Sequence, residues 1–222
     1  MNLSFGKSDD SEQWAPVSDL MAALMLIFMF IAIIFVRTVV TAESTYREEC
    51  DKIYQVLATE FESDFATWDV ELLEDLTIRF RSPEVLFEAG EAHIRPRFAD
   101  ILRDFFPRYM KIIHSEQYRE DIREIRIEGH TSSDWSGTRD EGEAYFMNMD
   151  LSQRRTRTIL LFIMKLPISK EYTEWARAHI TANGLSSSRL ILTVDGKEDR
   201  VRSRRVEFRL MTASCRKAGM YG

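Results

Sequence analysis

The chain has 222 residues, with 30 basic against 36 acidic side chains (formal charge −6), 9 Gly, 5 Pro and 2 Cys. That length can bury a sizeable core. Two cysteines exclude a disulfide-built scaffold, few Gly and Pro exclude low-complexity character, and the acidic balance argues against general nucleic-acid binding.

The mean hydropathy, −0.27, averages two unlike parts. Residues 1–16 are a short polar tail in which Lys7 stands against Asp9, Asp10 and Glu12. Leu20 to Val36 then run for 17 residues without a charge or a strong polar group. At 1.5 Å per residue this is about 26 Å of helix, near the lower limit for a ~30 Å hydrocarbon core. Val17 before the run and Thr38, Val39 and Val40 after it extend the span. Arg37 can snorkel to the headgroups, Pro16 suits a first helical turn, and Trp14 suits the interface. The run is apolar on every face, unlike a surface helix of a soluble protein. It is too long, and its leader too acidic, for a cleavable signal. The expectation is a retained transmembrane helix over 17–40 behind a cytoplasmic tail 1–16. A single-pass topology would place the larger C-terminal part outside.

Asp19 opens the apolar run. An ionised carboxylate at bilayer depth costs roughly 2.5–3.5 kcal/mol, less near the interface. Two readings stand: a helix N-terminal cap favoured by the dipole, or an ion carrier. Ser18 and Ala22 form a small-xxx-small pair that permits close helix approach, and desolvation there would favour reversible protonation. One acid on one helix makes no channel, so an ion path needs a partner membrane protein.

Residues 41–75 hold eleven Asp and Glu against Arg47 and Lys52. Their apolar spacing predicts an amphipathic helix, read as an acidic helical linker. It is either a solvated stalk or a helix that pairs with its copy or blocks an ion path. Cys50 lies here and Cys215 near the end. A bridge between them, or between two copies of Cys50, is open outside the cytoplasm.

Residues 76–212 predict a mixed domain, with 213–222 as a tail. LTIRF and EVLFEAG read as strands. RPRFADILRDFFPRYMKII reads as a helix with Phe98, Ile101, Leu102, Phe105 and Phe106 on one face. IREIRIEGH reads as a strand and LSQRRTRTILLFIMKL as a helix. EYTEWARAHITANGL reads as a further helix capped by Asn183-Gly184, and RLILTV and RRVEFRLM as the last strands. The fold class is a single N-terminal transmembrane helix plus an α+β domain, a mixed sheet with helices packed on one face. The four histidines (His93, His114, His130, His179) show no ligand spacing, so no metal or cofactor is expected. No phosphate loop or nucleophile triad is present, so the chain is not expected to be an enzyme.

The stretches VLFEAGEAHIRPRFADIL, IRIEGHT, NMDLSQRRTRTIL, GLSSSRLI and SRRVEFRL together resemble the OmpA-like peptidoglycan-binding family. That family holds the carboxylate and ammonium ends of the wall peptide's diaminopimelate through a GHTD and N-x-x-L-S-x-x-R pattern. The resemblance implies peptidoglycan contacts from Thr131, Asn148, Leu151, Ser152 and Arg155, with Arg155 forking onto a carboxylate. Ser132 stands where the family has Asp, and Asp134 is the candidate substitute. The connection from Ser132 to Leu151 is longer than the family's. Its insert WSGTRDEGEAYF is either a solvated loop or a source of Asp134, Asp140, Glu141 or Tyr145 for an altered pocket.

A span opened by an acid, a linker and an OmpA-like domain is similar to the MotB class of stator subunits. SDLM-A-ALM here matches ADFM-T-AMM of that class and implies Asp19 as the ion-binding residue, for H⁺ or Na⁺. It also implies a homodimer inside a larger multi-span MotA-like or ZorA-like protein, five copies per two of this chain. The acidic tail, the missing Asp and the long loop resemble the ZorB-type subunits of Zorya anti-phage defence. The alternatives are a flagellar-type MotB subunit and a passive peptidoglycan-anchored adaptor. The implied location is the bacterial inner membrane, with the C-terminal domain periplasmic.

Overall fold

The structure, a computed structural model of the chain, describes residues 11–81, 86–167, 170–217 and 219. Residues 1–10 of the expected tail lie outside the described residues, as do Glu84 and Val85 of the expected strand EVLFEAG, the chain end 220–222 and the side chains of Trp14 and Pro16. Helix α1 runs Ser11–Trp68. The chain divides into two compact units, Met1–Thr45 and Tyr46–Gly222.

In the first unit, α1 holds one stretch long and apolar enough to cross a membrane. Its large side chains, from Val17 and Leu20 to Val40, are exposed within the chain, so the surroundings that cover them are not this chain's own.

The second unit begins at Tyr46, not at residue 76. Most of the stretch expected to be a linker is therefore part of the folded unit. Cys50, Ile53, Leu57 and Phe61 recur at helical spacing and are at most 1% exposed. Its acidic residues are exposed or partly exposed, which is why its composition reads as a stalk. The two cysteines join within the chain, Cys50 to Cys215, with Cα atoms 5.4 Å apart, inside the usual range for a disulfide. The expected tail at 213–222 is accordingly not free. Ala213–Lys217 form a short helix, α6, and Cys215 is fully buried.

The remaining elements are β1 (Val70–Leu72), β2 (Thr77–Phe80), α2 (Pro96–Ile113), β3 (Ile122–His130), α3 (Glu141–Ile163), α4 (Lys170–His179), β4 (Ile180–Gly184), α5 (Arg200–Ser203) and β5 (Arg205–Thr212). The sheet order is β1-β2-β5-β3-β4. Only β3 and β4 pair in parallel; the other neighbours are antiparallel, giving the expected mixed sheet. Phe80, Phe98, Phe105 and Phe208 meet edge to face, with centroids 5.3–5.8 Å apart. Phe61 of α1 joins Phe105 at 5.3 Å.

Four expected elements differ. α3 starts ten residues before LSQRRTRTIL, at Glu141, because Asp140 caps it: its carboxylate accepts from the Glu143 N–H at 2.8 Å. Asp140 to Glu143 has the spacing of a capping box, with an acid at each end. The helix expected through Asn183-Gly184 ends at His179, where Ile180–Gly184 leave it to pair with β3. β-Branched Ile180 and Thr181 suit a strand. Gly184 is not a helix cap: a Cβ there would lie 2.3 Å from the Gln153 amide nitrogen, so its lack of a side chain admits α3. RLILTV adds no strand to the sheet; Leu192 and Glu198 form an isolated bridge instead. EVLFEAG likewise contributes only a bridge, Phe87 to Ile94.

Candidate functional site

β3 delivers Gly129 and His130, and Thr131 follows where the strand ends. α3 brings Asn148, Leu151 and Arg155 to one face at spacings of three and four. Gly129 and Gly184 are paired neighbours on β3 and β4, and α3 lies against both. This close approach sets the depth of the site. Thr131, Asp134, Asn148, Leu151 and Arg155 line one cavity of about 340 Å³, together with Phe87, Glu88, Arg95 and Arg204. Five of the six expected wall-contact residues are thereby brought together.

Ser152 is not in that lining. It is 1% exposed. Its hydroxyl donates to the Met149 carbonyl and accepts from the Ser186 N–H at 3.1 Å, so it fastens α3 to the turn after β4. Asn148 is 3% exposed, and its Nδ2 donates to the Asp134 carbonyl at 3.0 Å. It holds the loop backbone as well as lining the cavity. The Asp134 carboxylate meets Arg200, Nε to Oδ2 at 2.9 Å.

Arg155 donates from Nε to the Glu91 carbonyl (2.8 Å) and from Nη2 to the Glu88 carbonyl (3.1 Å). Its guanidinium lies over the Phe87 ring, 4.9 Å from the centroid. It has no carboxylate partner among the described residues. Burial lowers its pKa to about 10, and the charges of Arg204 and Arg154 act in the same direction. The group remains cationic at neutral pH but is poorly compensated. Arg204 also has no ion pair among the described residues, and Arg95 Nε is buried without a hydrogen-bond partner. The acids in this lining are Glu88 and the Arg200-bound Asp134. Three guanidinium groups against those acids give the cavity a cationic lining, and the planar fork of each matches a carboxylate in geometry. Neither Arg95 nor Arg204 was expected from sequence in this cavity. Both stand inside family-like stretches (HIRPRF, SRRVEF), but their convergence depends on the fold.

Behind the cavity lies an ion cluster that histidine spacing did not reveal. His130 Nε2 is 3.4 Å from Glu207 Oε2 and 3.7 Å from Glu128 Oε2, all three groups being buried. One ligand atom from each lies within 4.8 Å of the others. However, Glu207 Oε1 already receives Arg79 Nε and Arg205 Nε, both at 2.7 Å. Arg189 Nη1 and Arg209 Nη1 also lie 3.5 and 3.9 Å from Glu128 Oε2, so guanidinium groups of this chain supply charge against both carboxylates. Burial alone would raise the Glu207 pKa. The close His130 ring and the charge and hydrogen bond of Arg205 override it and hold the carboxyl far below its ordinary range. The arginines of the 200–209 segment do not share one surface: Arg205 and Arg209 are in ion pairs on β5, and Arg200 pairs with Asp134.

In the membrane-compatible unit, Asp19 and Ser18 are exposed on α1. Asp19 lies eight residues into the described helix, not at its first residue. A capping role is therefore excluded, because caps act within the first turn.

No family model matches the chain. It is 43% identical over 214 residues to the Zorya protein ZorB of Escherichia coli (strain Crooks), covering 93% of this chain and 90% of that protein. The chain belongs to the ZorB family. The fold of the family's C-terminal unit has solved counterparts. A MotB-like protein from Desulfovibrio vulgaris matches with a TM-score of 0.55 at 22% identity, over 77% of this chain and 98% of that one. The cell wall anchor of the type VI secretion system from Pseudomonas aeruginosa matches at 0.48 and 22% identity, over 70% and 96%. Among the described residues, the ZorB-family chain thus combines one membrane-length helix with a MotB-like fold.

Proposed function

We propose that the chain is the wall-anchored subunit of an ion-driven rotary motor in the inner membrane, acting in anti-phage defence. The observation that carries the anchoring half is the cavity in which Thr131, Asn148, Leu151 and Arg155 meet two further unpaired guanidinium groups. A carboxylate of the wall peptide enters there and takes the charge-assisted bonds that the chain itself leaves unmade. Asp19 carries the driving half, since it is a lone acid abutting an all-round apolar segment. One charge falling through 100 mV yields about 2.3 kcal/mol. Two copies of the chain sit within five copies of a multi-span partner, and H⁺ or Na⁺ passes Asp19. The N-terminus is cytoplasmic and the folded unit periplasmic, a placement supported by the Cys50–Cys215 bridge.

Two substitutions separate the halves. Asp19→Asn keeps assembly with the partner and wall binding but abolishes defence. Arg155→Ala weakens binding to isolated sacculi by roughly 10- to 100-fold, the loss of ~1.5–3 kcal/mol expected for hydrogen bonds to a charged group. Full defence by Asp19→Asn at normal expression would overturn the motor reading. A passive anchor would show that pattern together with sensitivity to Arg155→Ala.

A further inference from the structure

We infer that the insert between β3 and α3 builds a second ligand subsite, next to the anion cavity, that takes a sugar ring of the wall's glycan strand. The inference rests on the first cavity binding the peptide part of the same polymer. A second cavity of about 630 Å³ lies in the periphery of this unit, and Asp134 and Trp135 line both. The two cavities therefore share a wall, and an extended ligand seated in the first can continue past Trp135 into the second. Both volumes fall within the ~300–1,000 Å³ usual for small-molecule sites.

The chemistry of the second lining differs from that of the first. Trp135 and Tyr145 are half-buried and supply aromatic surface with a polar tip. Around them stand Arg139, Asp140, Glu141 and Arg200. With Asp134 these charges nearly cancel, so the subsite does not select an anion as the Arg95, Arg155 and Arg204 cavity does. The first turn of α3 adds to this, because Glu141 and Glu143 already occupy the positive end of the helix. What remains is a mixed set of acceptors and donors beside aromatic faces. Arg139 and Glu141 make no ion pair among the described residues, so their hydrogen-bonding capacity is unspent. A pyranose ring is neutral, its hydroxyls both donate and accept, and one of its faces is apolar. It fits this set better than a peptide carboxylate does.

The segment is also held in place. Ser133 N–H and Oγ both donate to the Glu198 carboxylate, Arg200 holds Asp134, and the Ser186 hydroxyl donates to the Tyr145 carbonyl at 2.7 Å. Two segments distant in sequence, around Ser186 and around Glu198 and Arg200, thus fix this wall of the site.

The test uses the full chain in detergent and three probes: intact sacculi, glycan strands stripped of their peptides by an amidase, and the free stem peptide. The wild type is expected to bind all three, the stripped glycan most weakly. Tyr145 lines the second cavity and not the first, so Tyr145→Ala should lose glycan binding at least tenfold while keeping stem-peptide binding within twofold, and Tyr145→Phe should restore glycan binding. Arg155→Ala should show the reverse selectivity. Absence of glycan binding by the wild type, or equal loss of glycan and peptide binding in Tyr145→Ala, overturns the subsite. If Arg155→Ala leaves peptide binding intact while Tyr145→Ala abolishes glycan binding, the anion-cavity reading fails and the sugar subsite stands. Near-ultraviolet circular dichroism of each variant identifies any that fails to fold, and Arg139→Ala then replaces it as the second probe of the same lining.

Discussion

At the residue scale, Glu207 shows how one carboxylate can matter more than its surface counterparts. It is 4% exposed and receives Arg79 and Arg205, with His130 Nε2 3.4 Å from its other oxygen. Glu207→Gln preserves shape but leaves the two guanidinium groups without their counter-charge. Breaking a buried pair this way costs about 3–5 kcal/mol, or a fall in Tm of roughly 6–20 °C for a unit of this size. The acid limb carries the same signature. The folded pKa lies below the unfolded carboxylate value of about 4.3. Its stabilisation is therefore complete above that pH and is lost as pH falls toward the folded value. Denaturant titrations between pH 3 and 7 should show stability falling at the acid end in the wild type and a flatter limb in Glu207→Gln. Arg155 behaves differently because burial opposes its charge. Arg155→Leu, which removes a poorly compensated cation, should leave Tm within a few degrees while weakening binding to sacculi as much as Arg155→Ala does; the same thermal melt and a sedimentation assay read both.

At the element scale, legibility followed whichever force formed the element. α2 was readable because Phe98, Ile101, Leu102, Phe105 and Phe106 all face the core, and periodicity is set by that burial. β4 was not, because ITANG is short and polar and becomes a strand only by pairing with β3. The anion cavity was half legible: Asn148, Leu151 and Arg155 share one helix face, whereas Arg95 and Arg204 arrive from other elements. Gly184 tests the corrected picture. An added Cβ would meet backbone atoms of Ser152 and Gln153 at 2.3–2.7 Å, and backbone cannot swing aside. Gly184→Ala should cost at least the ~1–3 kcal/mol of overpacking and loosen the site. Gly196→Ala, with φ +74° and nothing within 4 Å, should cost only the ~1–2 kcal/mol of a left-handed residue. Urea unfolding of both variants checks the contrast. The boundary of the folded unit is testable in the same terms. A fragment beginning at residue 76 loses Ile53, Leu57 and Phe61, each worth roughly 1.5–3 kcal/mol when buried. It also loses one end of the disulfide. That sum is comparable with the ~5–15 kcal/mol of a whole domain. A fragment from Tyr46 should resist limited proteolysis, and one from residue 76 should not.

At the scale of the whole molecule, the chain's mean hydropathy conceals a division of labour between an apolar rod and an acidic folded unit. The Cys50–Cys215 bond spans 165 positions and ties the part of α1 within the folded unit to α6. Lys217 strengthens the same junction, donating to the Tyr46 hydroxyl and lying 4.6 Å from its ring centroid. Every later element of the unit lies inside the loop this bond closes, so its effect on the unfolded chain is large: removing such a bridge costs about 2–5 kcal/mol. The bond also reports compartment, since reducing cytosol does not sustain it. Cys50→Ser should therefore lower the denaturation midpoint in oxidising buffer, and adding a reductant to the wild type should reproduce most of the loss without affecting the variant. In cells, blocking free thiols before lysis should leave the wild type unlabelled if the folded unit is periplasmic. Two labelled thiols per chain in an otherwise functional protein would place the unit in the cytosol and reverse the proposed topology. The same result would remove the wall from reach of the Arg155 cavity, so one labelling experiment bears on anchoring, orientation and the direction of ion flow past Asp19 together.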